Sequence, residues 1–329
     1  MVPLEAIGWR ADLARALGDL GDPDLSPRRV VTVDRRGVRT GDGESEETAV
    51  VPGRLRHRKA SRDLPVVGDW VAVRRPAGPV VIEAVLPRRT EIARRDPDQR
   101  SEQVLAANVD VAVLVMGLDG DFNLRRLERY LALVRGAGVA PVVVLSKADL
   151  AREPAARAAE VEALSPDLPV LALALTEPGG QLALAPHLRA GETAVLLGSS
   201  GAGKSTLLNA LAGQPLQRTM GVRVHDSRGR HTTTTRQLFR LPGGPLVIDT
   251  PGLRELELVG AESGLADAFP ELAELAAHCR FRDCRHIDEP GCALCRAVGE
   301  GRASGERLAA FRKLAAELDR PARAPRRRR

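Results

Sequence analysis

Hydrophobic and polar positions follow two rhythms along this chain, and the change comes near residue 90. Residues 28–90 hold short apolar runs (RRVVTVD, TAVVPGRLR, DWVAVRR, PVVIEAVLP) broken by Gly, Pro and Asp and rich in arginine. Brief β-branched runs between turn residues predict a small β-barrel, with a β-sandwich fragment bearing a basic face as the alternative. Beyond residue 90, wholly apolar runs alternate with helical stretches: VDVAVLVM, LRRLERYLALVRGAG, VAPVVVLSKAD, PVLALALT, TAVLLGSSGAGKSTLLNALAG and GPLVIDTPG. That alternation predicts a parallel α/β sheet. Upstream of both, Leu4 to Leu20 has the periodicity of an amphipathic helix and ends in a Gly/Pro/Asp break, so residues 1–26 read as an extension. Past Leu258 the chain turns helical, is interrupted by a Cys/His cluster, resumes as a helix around GERLAAFRKLAAEL and ends in a basic tail read as disordered. The expected organisation is an extension (1–26), a barrel (27–90), an α/β domain (91–258) and a helical module with a basic tail (259–329).

Composition narrows the partners. With 329 residues, 43% of them apolar, the chain can bury at least one full core. No window approaches 18 consecutive apolar residues, and MVPLEAIGWRADLARAL lacks the order of a signal peptide, so a cytoplasmic location with no membrane contact is expected. A formal net charge of +6 favours a polyanionic partner. Aromatic residues make up only 2%, which excludes base stacking as the main mode of RNA binding and leaves arginine contacts to backbone phosphates.

The sharpest chemical signal is Gly198-Ser199-Ser200-Gly201-Ala202-Gly203-Lys204-Ser205, followed by Thr206, between an apolar strand and a helix-forming run. The glycines let backbone N–H groups curl around phosphate oxygens, and the helix adds its positive dipole end. Lys204 is placed to reach the β and γ phosphates, and the Ser205 hydroxyl to ligate Mg²⁺. Downstream, Asp249-Thr250-Pro251-Gly252 follows another apolar strand; Asp249 suits Mg²⁺ held through water, and the Gly252 amide suits sensing of the γ-phosphate. Between the two lies GRHTTTT, where Thr233, or alternatively Thr232, can complete the Mg²⁺ shell.

Base choice points to guanine. VAPVVVL runs into Ser146-Lys147-Ala148-Asp149, a strand-terminal motif with Ser where Asn is commonest. Asp149 can accept from both N1–H and the exocyclic amine of guanine, and the Lys147 stem can pack over the ring. After the next strand, the Ala174 backbone N–H is placed to meet guanine O6. These motifs precede the phosphate loop instead of following it, so the chain is circularly permuted relative to Ras-like GTPases, with the cut just after the DTPG segment. A P-loop ATPase or small-molecule kinase is the competing enzyme class, but it leaves the barrel and the Cys/His cluster without a reason.

All four cysteines lie between 279 and 295. Cys279, Cys284, His286 and Cys292 form a Cys₃His set suited to one tetrahedral structural zinc ion, with Cys295 as a fifth candidate.

Taken together, these motifs resemble the ribosome small subunit-dependent GTPase A family, circularly permuted bacterial GTPases. The resemblance spans roughly residues 28–315 and is carried by VGDWV (67–71), VLPRRT (85–90), AANVD (106–110), DFNLRRLERYL (121–131), GSSGAGKST, GRHTTTTRQL, DTPGLREL and CRFRDCRHIDEPGC. It implies a permuted P-loop GTPase domain flanked by an N-terminal OB-fold and a C-terminal zinc module, working with GTP, GDP and Mg²⁺. It also implies the 30S ribosomal subunit and its 16S rRNA as partners, action in late 30S maturation and stimulation of GTP hydrolysis by that subunit. Departures are Ser146, the missing serine before Ala174, the extra Cys295 and the long, Arg-rich ends. Nothing in the sequence requires more than a monomer.

Leu253 follows Gly252, so no polar side chain there can orient the attacking water, and slow intrinsic hydrolysis is expected. His231, beside the candidate switch threonines, is the candidate that reaches that water once a partner orders the loop; a purely loop-ordering role is the alternative. A non-enzymatic RNA-binding assembly factor, switched by nucleotide with negligible turnover, is the remaining class.

Overall fold

The computed structural model describes residues 2–34, 37–57, 61–95, 102–165, 167–177, 179–216, 236–249 and 262–318. Five strands form the first unit: β1 (Ser26–Asp34), β2 (Gly37–Gly41), β3 (Glu46–Val50), β4 (Trp70–Arg74) and β5 (Val80–Val85). β1, β2 and β3 form an antiparallel meander, β3 pairs parallel with β5, β5 pairs with β4, and β4 returns to β1. The sheet is thereby closed, in the strand order of an OB-fold barrel. Alternating inward positions, among them Val30, Val38, Val71, Val73 and Ile82, fill its interior. Closure removes the free edges that a sandwich fragment would leave.

The second unit holds β8 (Val111–Gly117), β9 (Ala140–Ser146), β10 (Val170–Leu173), β11 (Thr193–Leu197), β12 (Arg236–Arg240) and β13 (Leu246–Asp249). Their spatial order is β10-β9-β8-β11-β13-β12, parallel except for β12. The strand that feeds the phosphate loop, β11, is central. Strands ahead of it in sequence lie on one side and strands after it on the other, which is the signature of the permuted order. Helices α3 (Leu124–Gly136), α4 (Pro154–Glu162) and α5 (Lys204–Ala212) cover the sheet; two shorter ones, α1 (Ala11–Gly18) and α2 (Gly53–His57), belong to the N-terminal segment and the barrel. A hairpin of β6 (Glu91–Arg95) and β7 (Glu102–Ala107) forms a separate two-stranded sheet between the units, a feature that sequence patterning did not isolate.

The two units are not merely tethered. Barrel strand β1 pairs with β12 through Thr32↔Gln237 and Val33↔Arg236, so the barrel and the α/β sheet share one hydrogen-bonded ladder. Beside this seam lies a fully buried arginine. Arg29 donates from Nη2 to Thr193 Oγ1 at 2.7 Å, from Nε to Gly68 O at 3.4 Å and from Nη1 to the carbonyl of Ile7, and its guanidinium sits over the Trp70 ring. Burial lowers its pKa to about 10, which still leaves it charged at neutral pH.

The N-terminal segment is part of this junction, and it is not one continuous helix. A 3-10 turn (Leu4–Ile7) breaks at Gly8, whose φ of 89° is left-handed, before α1 begins. A Cβ at Gly8 would lie 2.6 Å from Arg29 Nη1, so the break brings bare backbone up to the guanidinium. Trp9 then packs edge-on against Trp70, and Arg10 pairs with Asp110 at 2.6 Å.

Four helices, α6 (Glu262–Ala268), α7 (Pro270–Ala276), α8 (Ala293–Gly299) and α9 (Gly305–Leu318), form the C-terminal module. α6 lies directly on α3, because Gly264 lets its backbone touch Ala132 O, 1.9 Å from where a Cβ would stand. Arg307 locks the contact by pairing with buried Glu128 of α3 at 2.5 Å and with Glu271 of α7 at 2.6 Å. Among the described residues no helix is long and apolar enough to cross a membrane.

Replacing Arg29 with Met leaves buried carbonyls without a donor, and a loss of about 3 kcal/mol in unfolding free energy is expected. Urea titration followed by tryptophan emission measures it, because both tryptophans of the chain, Trp9 and Trp70, report on this junction. An unchanged midpoint would refute the role given to Arg29.

Candidate functional site

Register brings the strand ends together. Gly117 pairs with Ser146, Ser146 with Leu173, and Leu196 with Asp249, so the carboxyl ends of β8, β9, β10, β11 and β13 line one rim. Loops leaving that rim are where α/β sheets bind ligands.

Residues 198–203 form a tight loop between β11 and α5. Gly198 has a φ of 150°, and a Cβ there would collide with Val115 O at 2.1 Å; Gly201 and Gly203 are left-handed at 82° and 95°. The loop therefore exists only because these positions lack side chains. Lys204 Nζ donates to Gly198 O at 2.9 Å and Ser199 O at 2.6 Å, which holds its charge over the loop mouth. Ser205 and Thr206 follow on the first turn of α5, where N–H groups point outward. Asp249, nearly buried, ends β13 beside the loop's own strand.

The SKAD motif lies on the other side of the loop. Ser146 is fully buried, and its hydroxyl donates to Ala202 O at 2.6 Å, tying the SKAD motif to the glycine-rich loop. A Cβ on Gly203 would stand 3.2 Å from that hydroxyl, so the Ser146 contact needs a bare backbone at 203. Lys147 is left-handed with a φ of 59°, and Asp149 is exposed on the 3-10 turn that follows. Ala174 follows β10, and the loop to Gly180 folds back on its carbonyl. Ser146, Lys147, Asp149, Ala174 and residues 198–206 thus gather at one rim, with Asp249 at its far side. His231, Thr232, Thr233 and Gly252 lie outside the described residues.

Two further carboxylates stand among these groups that sequence motifs did not assign to the site. Asp121 accepts from Ser199 Oγ at 2.6 Å, and Asp119 accepts from Lys147 Nζ at 2.5 Å. Asp119 had no sequence signal beyond its place directly after an apolar strand, and Asp121 stood only as the first residue of DFNLRRLERYL, with no role attached.

In the C-terminal module, donor atoms of Cys279, Cys284, His286 and Cys292 lie within 4.8 Å of one another. His286 Nδ1 is 3.5 Å from Cys279 Sγ and 3.6 Å from Cys292 Sγ, close to the edges of a tetrahedron built on zinc–sulfur and zinc–nitrogen bonds of about 2.3 and 2.0 Å. Amides of Ala293 and Cys295 point at Cys279 and Cys292 sulfurs, and Glu289 braces the knuckle by accepting from the amides of Arg285 and Ile287. Burial and the sulfurs of Cys292 and Cys279 push the Cys284 thiol up to about 12, whereas Cys292, in spite of its burial, is lowered by hydrogen bonds from Cys295 and Cys284, so the crowded sulfurs do not ionise alike. Cys295 lies beside the set but has other partners: its thiol donates to the carbonyls of His286 and Ile287 and touches Arg312. The set fits zinc, with Cys295 outside it.

A family model described as RsgA GTPase matches residues 85–259. Proteins named small ribosomal subunit biogenesis GTPase RsgA are 45% identical over 96% of this chain in Syntrophotalea carbinolica and 49% identical over 95% in Opitutus terrae, in each case covering 89% of the relative. The chain belongs to the RsgA GTPase family. Among solved structures, YjeQ from Thermotoga maritima aligns over 90% of this chain and 100% of its own, with a TM-score of 0.65 and 26% identity. YloQ, described as a circularly permuted GTPase, shares the fold over 92% of this chain and 97% of its own, with a TM-score of 0.62 and 24% identity. The chain is accordingly a GTP hydrolase, and the RsgA fold is the permuted arrangement read from its strand order. The kinase and ATPase reading is set aside.

One zinc ion per chain is expected on metal analysis of the purified protein. Cys284→Ser or Cys292→Ser should abolish retention after dialysis against a chelator, whereas Cys295→Ser should keep it; loss of metal in the Cys295 variant would return that thiol to the ligand set.

Proposed function

We propose that this GTPase acts in biogenesis of the small ribosomal subunit, binding 16S rRNA of the 30S particle and hydrolysing GTP under its stimulation, in the cytoplasm and as a monomer. The observation that carries the reading is the ladder between β1 and β12. β12 begins at Arg236, directly after the threonine-rich segment expected to answer to the γ-phosphate, so nucleotide state and barrel orientation share a backbone. The names of the relatives, the OB-type barrel and the net charge of +6 support RNA as the surface so oriented.

In this reading Gly198 to Thr206 cradle the phosphates, Lys204 offsets their charge, and Ser146, Lys147, Asp149 and Ala174 hold the guanine. Ser205, Thr233 and Asp249 would hold Mg²⁺, which when bound supplies charge neutralisation between the β and γ phosphates. The Cys₃His set would hold zinc as a structural brace for the C-terminal module. Leu253 cannot position the attacking water, so His231 takes that task when the ribosomal particle orders its loop.

Phosphate release from GTP should be slow alone and should rise strongly with 30S subunits; ATP should give neither. In His231→Ala the stimulated rate should fall to the intrinsic one with GDP affinity retained, and normal stimulation would sink the role of His231. Absence of release with or without 30S would leave a nucleotide-switched assembly factor.

Guanine reading has its own test. Asp149→Asn removes a bidentate acceptor, worth about 3 kcal/mol or roughly a hundredfold in GDP affinity, while its amide can donate to the C2 carbonyl of a xanthine nucleotide. Equilibrium titration should therefore show GDP weakened and XDP strengthened; an unaltered ratio of the two contradicts the assignment.

A further inference from the structure

We propose that Asp119 is a positioning residue of the guanine site, holding the Lys147 stem in the pose from which it covers the base. The inference rests on the guanine reading given above and adds a residue to it.

The loop from Gly117 to Asp121 leaves β8 between the base-reading and phosphate-binding halves of the rim. Gly117 keeps its surface bare: a Cβ there would lie 2.7 Å from Asp119 Oδ1 and 3.5 Å from Lys147 Cδ. The aspartate carboxylate and the lysine stem thus lie together over naked backbone. Asp119 divides its oxygens between two tasks, with Oδ1 accepting from the Asp121 amide at 3.0 Å and Oδ2 accepting from Lys147 Nζ at 2.5 Å. Burial favours the neutral acid, but the Lys147 hydrogen bond, the Asp121 amide and the Lys147 charge prevail and hold the group below the ordinary carboxylate range. It is therefore an anion at neutral pH.

A lysine stem laid along a base must give up its rotamers, and that loss weakens binding if it is incurred only when the ligand arrives. Here the amine is already anchored, and the left-handed backbone at Lys147 fixes the other end. The anchor is itself immobilised. Asp121, two residues on, accepts from Ser199 Oγ at 2.6 Å, from Arg126 Nη2 at 2.6 Å and from the Gly117 amide at 3.3 Å. One short loop therefore sets the lysine against the base with one carboxylate and grips the phosphate loop with the other.

Asp119→Asn isolates the proposed contact, since an amide oxygen still accepts from the Asp121 amide while the pairing with Lys147 is lost. Equilibrium titrations with GDP, GTP and ADP compare the wild type, Asp119→Asn, Lys147→Met and the double variant. Asp119→Asn should weaken GDP and GTP by the same factor, about fivefold, the size of one partly exposed charge-assisted hydrogen bond. In the Lys147→Met background it should cause no further loss. The proposal is overturned by undiminished affinity, by a loss confined to GTP, or by an equal loss in both backgrounds. A wild type that binds ADP as tightly as GDP removes the guanine reading and this inference together, whereas a GDP-selective wild type with any of those three results removes this inference alone.

Discussion

A guanidinium cannot be buried without acceptors on every side, and that requirement organises the centre of this molecule. Arg29 has its acceptors in four separate stretches of chain: Ile7 in the N-terminal segment, Gly68 beside the barrel, the Asn108 carbonyl at 3.5 Å and Thr193 at the start of β11. None of these groups is near the others in sequence. Each must be delivered by the fold around it, and several unusual residues serve that delivery. Gly8 opens the N-terminal backbone, and left-handed Asn108 donates to Gly68 O while accepting from the Arg89 amide. Asp110 then accepts from the Thr193 amide and from Arg10. Barrel, extension and GTPase sheet meet at one charge.

That centre also explains the limits of reading the sequence. The glycine-rich loop and the Cys/His knuckle were legible as structure because their signals are local: glycines at fixed spacing, or four soft donors within a short segment. Strand and helix alternation was legible because burial imposes a period on each element. Arg29 looked like any other arginine of a basic barrel, since what distinguishes it from exposed neighbours is contact with residues more than 160 positions away. The N-terminal residues read as one amphipathic helix for the same reason: their apolar face is real, but Gly8 interrupts it to meet a partner that periodicity cannot reveal. Ser146 stood out as a departure from the commonest motif, and its contact with the Ala202 carbonyl could not be read from the motif. Asp119 carried no motif, and Asp121, though it opens DFNLRRLERYL, carried no chemical role that spacing could assign.

The motifs VGDWV and VLPRRT illustrate how a specific sequence signal can be architectural. Asp69, fully buried, receives two hydrogen bonds from Arg88, at 2.7 and 2.8 Å, and one from the Val66 amide at 2.8 Å. Burial raises its pKa in spite of those donors, so the pair is held by geometry against an unfavourable surrounding. The two segments are therefore read together because each supplies half of one ion pair. At the other end of the molecule, Arg307 plays a similar part between α9 and α3, stacked on Phe269, which in turn packs against Phe311 beneath His286. The Cys/His cluster and α3 are thus joined through an aromatic relay.

The shared ladder between β1 and β12 has a consequence for synthesis on the ribosome. β1 divides its length, with Ser26–Arg29 facing β4 and Thr32–Val33 facing β12. The first half finds its partner within a few dozen residues, but the second waits for roughly 200 more, on the order of 10–40 s at ordinary elongation rates. Through that interval the nascent barrel is closed except for a two-residue edge, too short to template pairing with another chain. The barrel thus offers little free edge while the chain grows, and its last open hydrogen bonds are completed only by β12.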